Sequence, residues 1–180
     1  MKIGIISDTH GDYASWKYII DVIFNDVDTI IHAGDILYGT DHVEQKKFIN
    51  SISTLNVDIL YARGNCDKLS LTSDLPIRQK HPYGVHSWNG KKIVYTHGDM
   101  YPSLLAKKMI ALEEQASIVI YGHTHVYSVD IDHGIYYINP GSPAQPKNKN
   151  KIPTVMLLDN TNLFVVNCQN NSIIESYVVN

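Results

Sequence analysis

The chain has 180 residues, 44% of them apolar and 18% charged, with a formal net charge of -3. That length suits one domain, residues 1–180, with a substantial core, and the composition excludes a disordered chain. No basic excess supports nucleic-acid binding. Cys66 and Cys168 are too few for a disulfide framework and fit a reducing cytoplasm. No stretch approaches the ~20 apolar residues of a membrane span, and Asp8 interrupts the first apolar run before it could form a leader segment.

Lys2 to Ile6 is an apolar, β-branched run that stops at Ser7-Asp8-Thr9-His10, which reads as a buried strand ending in a polar loop. If strand geometry persisted, Asp8 and His10 would share one face. Asp12 to Asn25 carries Trp16, Ile19, Ile20, Ile23 and Phe24 at helical spacing, with Asp12 as the N-cap. Thr29 to Ala33 is the next strand and ends at Gly34-Asp35. His42 to Ser53 forms a second, weaker helix, and Val57 to Ala62 a third strand ending at Arg63-Gly64-Asn65-Cys66-Asp67. Strands alternating with helices imply parallel pairing through right-handed crossovers.

Ile77 to Val85 has little helical periodicity, and Tyr83-Gly84 and Asn89-Gly90 are turn signals, the second favouring a hairpin. Lys91 to Tyr95 is a strand running into Thr96-His97-Gly98-Asp99. Ser103 to Gln115 is a helix with Pro102 in its first turn and Leu104, Leu105, Met109 and Leu112 as the buried stripe. Ser117 to Tyr121 is a strand leading to Gly122-His123-Thr124-His125. A hairpin follows over Val126 to Ile138, then a turn at Asn139-Pro140-Gly141-Ser142 and a polar Pro143 to Lys151 loop, the segment expected to be most flexible. Thr154 to Leu158, Leu163 to Cys168 and Ile173 to Val178 complete a β-rich tail. The fold class is therefore α/β, with two mixed sheets packed face to face and helices outside.

Asp8, His10, Asp35, Asn65, His97, His123 and His125 all follow strands. Oxygen and imidazole donors without thiolates suit Mn, Fe, Co, Ni or Zn better than calcium. Seven are too many for one open site but fit two metals sharing a bridging carboxylate. Behind them, Asp67 reads equally as a group orienting a ligand or as a turn cap. His32 and Asp99 read as supporting or core residues, Arg63 as a structural ion pair before a phosphate contact, and Cys168 as core. Tyr13, Tyr38 and Tyr101 are candidates for a substrate rim, and Ser142 is first a turn residue.

Asp8-x-His10, Gly34-Asp35, Gly64-Asn65-x-Asp67, His97-Gly98 and Gly122-His123-x-His125 stand in the order found in the calcineurin-like metallophosphoesterase family, which this chain resembles. The short chain, Gly-Asn-Cys-Asp and Asn-Pro-Gly-Ser resemble its small bacterial and archaeal phosphodiesterases, relatives of the retromer scaffold subunit. The resemblance implies a four-layer α-β-β-α fold. It implies two divalent ions, Mn2+ first, with Fe, Ni, Co or Zn as alternatives. Asp8, His10, Asp35 and His125 would hold the first metal, and Asp35, Asn65, His97 and His123 the second. A bridging hydroxide would attack phosphorus in line with the departing alcohol, so the catalytic assignment falls on Asp35, Asn65 and His97.

Cys66 stands where many members of that family carry a histidine thought to assist the leaving group, which favours esters with good leaving groups or water as the acid. Asp35 is followed by Ile36-Leu37-Tyr38, not the Asp-Arg-Gly of protein phosphatases. The expected substrate is thus a small phosphodiester and the expected location cytoplasmic. No nucleic-acid surface or membrane contact is expected, and a homo-oligomer is open. The alternative is a catalytically weak metal-binding scaffold of the retromer-subunit type. A nuclease is disfavoured, since the Lys147 to Lys151 run reads as a solvated loop.

Overall fold

The computed structural model describes residues 1–38, 41–77 and 79–179. The first strand, β1 (Ile3–Ile6), runs through the middle of a seven-stranded sheet. On one side it pairs in parallel with β2 (Thr29–His32), which pairs in parallel with β3 (Asp58–Ala62), and that with the short β4 (Gln79–Lys80). On its other side β1 pairs antiparallel with β10 (Thr154–Leu158), followed by β11 (Asn162–Asn167) and β12 (Ile173–Val178). A second sheet has the order β5-β6-β7-β9-β8, from Tyr83–Trp88, Lys91–Thr96, Ile118–Ile120, Ile135–Pro140 and Tyr127–Asp132 respectively. Each sheet mixes parallel and antiparallel neighbours; in the smaller one the parallel β6-β7-β9 pairs are flanked by the antiparallel hairpins β5-β6 and β8-β9.

The two sheets face each other across a core of Ile5, Ile31, Trp88, Ile93, Ile118, Ile138, Met156 and Val165. Helices α1 (Tyr13–Tyr18), continued by a π turn over Ile19–Ile23, and α2 (His42–Ser53) cover the outer face of the larger sheet through Trp16, Phe48, Ile30 and Tyr61. After the one-turn α3 (Leu69–Thr72), helix α4 (Leu104–Glu114) covers the smaller sheet. The result is the α-β-β-α sandwich expected from the sequence. Asp12 caps α1 by accepting from Ser15 N–H, and Asp41 caps α2. Within the Ile77 to Val85 stretch, Arg78 lies outside the described residues.

Two local expectations fail at α4. Ser103, not Pro102, opens the helix: its hydroxyl accepts from Ala106 N–H, and Pro102 lies outside. The buried face is also the opposite one. Leu104, Leu105, Met109 and Leu112 are 44, 68, 64 and 71% exposed, while Lys107, Ile110 and Ala111 are buried. The helix is apolar on two sides, so the stripe richest in leucine is not the one that docks. Ile110 and Ala111 meet Val94, Val119 and Tyr137. Lys107 lays its stem in the same interface, with Nζ 4.3 Å from the Tyr121 ring centroid and donating to Pro102 O at 3.3 Å.

Candidate metal centre

All seven candidate donors lie where loops leave the carboxyl ends of strands. The loops after β1 and β2 are joined by backbone bonds: Asp8 N–H donates to Gly34 O, His10 N–H to Asp35 O and Gly11 N–H to Ile36 O. The condition under which Asp8 and His10 would share a strand face is not met, because β1 ends at Ile6. Asp8, His10, Asp35, His123 and His125 instead have φ of 55, 47, 54, 69 and 59°. Left-handed backbone in five non-glycine residues is costly and clusters at sites where the fold over-determines it. The turns bring the side chains of all three chain regions to one place.

There, Asp8 Oδ1 lies 3.3 Å from His125 Nε2, and His125 Nε2 lies 3.4 Å from His10 Nε2. Asp35 Oδ2 lies 4.0 Å from His10 Nε2 and 3.4 Å from His97 Nε2. Asn65 Oδ1 is 3.1 Å from His97 Nε2 and 3.0 Å from His123 Nδ1. Asp35 is therefore the group between the His10 and His97 sides. Two donor sets lie with their ligand atoms within 4.8 Å of one another, Asp8-His10-His125 and Asp8-Asp35-His97. The second draws in Asp8, which the sequence reading assigned to the first group alone.

Cation binding fits this arrangement on its own chemistry. His97 donates Nδ1–H to Ala33 O and His125 donates Nδ1–H to Gln145 O, both at 2.8 Å. Each ring thus points its other nitrogen, a lone pair when neutral, at oxygen acceptors. Acceptors facing acceptors need a proton or a metal ion between them. Asp8 Oδ1 and His10 Nδ1 are buried without a hydrogen-bond partner. Burial would push the His97 imidazole down, but its bond to Asp35 and the charges of Asp8 and Asp35 hold it at about 9. Asp35 is depressed in turn: burial opposes ionisation, and His97 and Cys66 N–H outweigh it. Burial lowers His10.

Supporting residues sit behind this cluster. Asp67 Oδ2 accepts from Asp35 N–H at 2.7 Å and Gly64 N–H at 2.8 Å, while Oδ1 accepts from Ile36 N–H at 2.8 Å. Cys66 N–H donates to Asp35 Oδ1 at 2.8 Å, and its sulfur is 3.4 Å from Asn65 Nδ2. Close backbone approach requires glycine at several positions, Gly64 and Gly122 among them. A Cβ on Gly64 would meet Asp35 Oδ1 at 2.2 Å, and one on Gly122 would meet Ser7 Oγ at 1.9 Å. His32 is fully buried, bonds Thr9 Oγ1 through Nε2 at 3.0 Å, and is pushed down to about 3 by burial. Asp99 and Arg63 are half-buried. Among the described residues Arg63 makes no ion pair; its backbone N–H bonds Lys80 O.

An open cavity of about 300 Å³ is lined by His10, Asp35, Tyr38, Asn65, Cys66, His123, His125, Gln145 and Lys147. Of the three candidate rim tyrosines only Tyr38 reaches it; Tyr13 lines a groove between α1 and α2, and Tyr101 packs on Tyr83. That groove is larger, about 390 Å³, but carries none of the donors. Sequence reasoning did not find Gln145 and Lys147, which come from the loop read as solvated. The loop is tied down: Ser142 Oγ donates to Asp8 O and accepts from Gln145 N–H, and Lys147 N–H donates to His125 O. Nothing in its Lys/Asn/Pro composition signals these contacts.

An α-β-β-α sandwich with an Asp/His/Asn cluster at the ends of its strands defines a metallophosphoesterase architecture. The chain belongs to the calcineurin-like phosphoesterase superfamily, whose sequence profile matches residues 1–163. A probable metallophosphoesterase of Methanocaldococcus jannaschii, MJ0623, is 34% identical over 153 residues, covering 82% of this chain and 70% of the relative. Phosphodiesterase YfcE of Escherichia coli K12 is 24% identical, covering 100% of this chain and 99% of the relative. The solved structure of E. coli YfcE, described as a phosphoesterase, matches at a TM-score of 0.80 with 22% identity over 100% of both chains. Vps29 of Entamoeba histolytica, solved with Zn2+, matches at 0.72 with 18% identity over 100% of both. Membership of the superfamily implies divalent metals, and the two donor sets are candidates to hold them. Among the described residues no helix is long and apolar enough to cross a membrane.

Proposed function

We propose that this chain is a dinuclear-metal-dependent phosphodiesterase acting on small phosphodiesters, with residues 1–180 forming one cytoplasmic domain. The observation that carries the reading is the convergence of side-chain ligand atoms from His97, His125, Asn65, Asp8 and Asp35 on one place, with Asp8 Oδ1 and His10 Nδ1 buried there without a hydrogen-bond partner. Asp8, His10, Asp35 and His125 would hold one ion and Asp35, Asn65, His97 and His123 the other, with Mn2+ the first candidate. Bound there, such ions supply Lewis acidity toward a phosphoryl oxygen and lower the pKa of water. Asp35 holds both halves of the cluster in register. Asn65 presents its amide at the cavity, where Nδ2 can donate to a phosphoryl oxygen. The Cys66 thiol, pushed up to about 12 by burial and by Asp35, keeps its proton and is a poor acid for an alkoxide leaving group. That supports a preference for esters with good leaving groups.

The test is a matrix of apo-protein reloaded with Mn, Fe, Co, Ni or Zn and assayed on a phosphomonoester, an aryl diester and cyclic nucleotides. The reading expects cation-dependent diester turnover that falls more than about a hundredfold in Asp35→Asn and His97→Ala with folding retained. Equal turnover without added cation and in both variants would remove it. Cys66→His is expected to gain most on poor leaving groups; no gain there counts against the role given to the thiol.

A second reading, a scaffold of the Vps29 kind that binds partners and turns over slowly, is favoured by the exposed apolar stripe of α4. Cation binding by wild type with no turnover of any ester would select it.

A further inference from the structure

The cavity has a buried end and an exposed mouth. His10, Asp35 and His125 are nearly inaccessible, whereas Tyr38, Gln145 and Lys147 are exposed. Lys147 is the one lysine or arginine among the lining residues. Its place is fixed relative to the donors. Lys147 N–H donates to His125 O at 3.0 Å, Gln145 O receives His125 Nδ1–H, and Ser142 Oγ joins Gln145 N–H to Asp8 O. Beyond it, Asn148 closes the loop through two bonds to the Ile152 backbone. Lys2, Lys17, Lys47 and Lys108 are each matched to a carboxylate within 2.8 Å. Among the described residues no carboxylate is matched to Lys147, nor to Lys46, Lys68, Lys80, Lys91, Lys92, Lys107, Lys149 or Lys151, but of these only Lys147 lines the cavity.

We propose that Lys147 is a substrate-contacting residue that selects phosphoesters carrying a second anionic group, a phosphate or carboxylate, outside the scissile phosphate. The inference rests on the phosphodiesterase reading. A diester brings one negative charge to the buried end, where the donor cluster would receive it through any cations it holds. An unpaired ammonium on a flexible four-carbon stem at the mouth is left for a charge further along the substrate.

The experiment uses the full chain with Mn2+ and a matched pair of ligands, thymidine 5′-phosphate and thymidine 3′,5′-bisphosphate, titrated calorimetrically into wild type, Lys147→Ala and Lys147→Arg. The same pair as 5′-p-nitrophenyl esters gives a ratio of KM values. Wild type is expected to prefer the bisphosphate. Lys147→Ala narrows that preference roughly fivefold, Lys147→Arg keeps it, and raised salt erodes it in wild type. No preference in wild type, or the same preference in Lys147→Ala, overturns the proposal. A Lys147-dependent binding preference without ester turnover would sustain the role of Lys147 while removing the hydrolase reading. Cation-dependent turnover with an unmoved preference would do the reverse.

Discussion

The carboxylate of Asp67 receives the backbone N–H of Asp35 at 2.7 Å from 32 positions further along the chain. With its bonds to Gly64 and Ile36, it holds the left-handed Asp35 backbone and the Gly64-Asn65 turn as one unit. Burial raises the pKa of this acid, so its fixed bonds to N–H groups matter for keeping it an acceptor. Asp67→Asn would turn an N–H2 toward at least one of those donors. The expected loss is about 2–3 kcal/mol of unfolding free energy, read by urea denaturation, together with weaker Mn2+ binding. Unchanged values of both would reduce Asp67 to a turn residue.

At Gly122 the loop after β7 passes close to Ser7 and Asp8. Its added Cβ would lie 2.7 Å from Asp8 Oδ2, which also accepts His123 N–H. Gly122→Ala should therefore separate Asp8 from His123 and His125. We expect a cost of about 1–3 kcal/mol and a larger fractional loss of metal affinity. Normal cation titration in this variant would mean that the loops move apart without consequence.

His32, behind the donor cluster, gives a pH signature set mainly by its own burial. Its folded pKa, about 3, is below the ordinary histidine value of 6.5. The unfolded chain thus binds the extra proton between those values, and stability falls as pH falls through that window. The contribution is complete above pH 6.5. In His32→Gln, whose amide can still donate to Thr9, the acid limb of a stability–pH curve should flatten by a few kcal/mol between pH 6.5 and 3. An unchanged slope would place the acid sensitivity elsewhere.

Cation binding should stabilise the fold, because it relieves buried acceptors held against one another. At a hundredfold excess over Kd, Mn2+ is expected to add about 2.7 kcal/mol, visible as a rise in Tm that a chelator reverses. Asp35→Asn should lose most of that rise. A chelator-insensitive Tm in wild type would argue against a filled site.

The faces of α4 can be separated by mutation. Ile110→Ala should cost about 2–4 kcal/mol, whereas Leu105→Gln and Leu112→Gln should change stability by less than about 0.5 kcal/mol. The reverse ranking, measured by thermal or urea unfolding, would restore the leucine stripe as the core face.

The sequence by itself determined the strand–loop–helix order of the first half, the hairpins of the second, the cap at Asp12 and the strand-end placement of the seven candidate donors, because apolar periodicity and glycine-flanked polar triplets are local properties of the chain. It left open which side of α4 docks, since both are apolar and only the shape of the smaller sheet, with Val119 and Tyr137 awaiting Ile110, distinguishes them. It also left open whether strand geometry persists through Asp8 and His10. Their left-handed backbone is disfavoured locally and is imposed by bonds from Gly34, Asp35 and Ile36, far along the chain. The same holds for Gln145 and Lys147: a polar loop carries no mark of its anchor until Ser142 meets the carbonyl of Asp8. Residue chemistry is written in the chain, but the direction in which an exposed segment or a strained turn points is an energy shared between distant parts, and only packing resolves it.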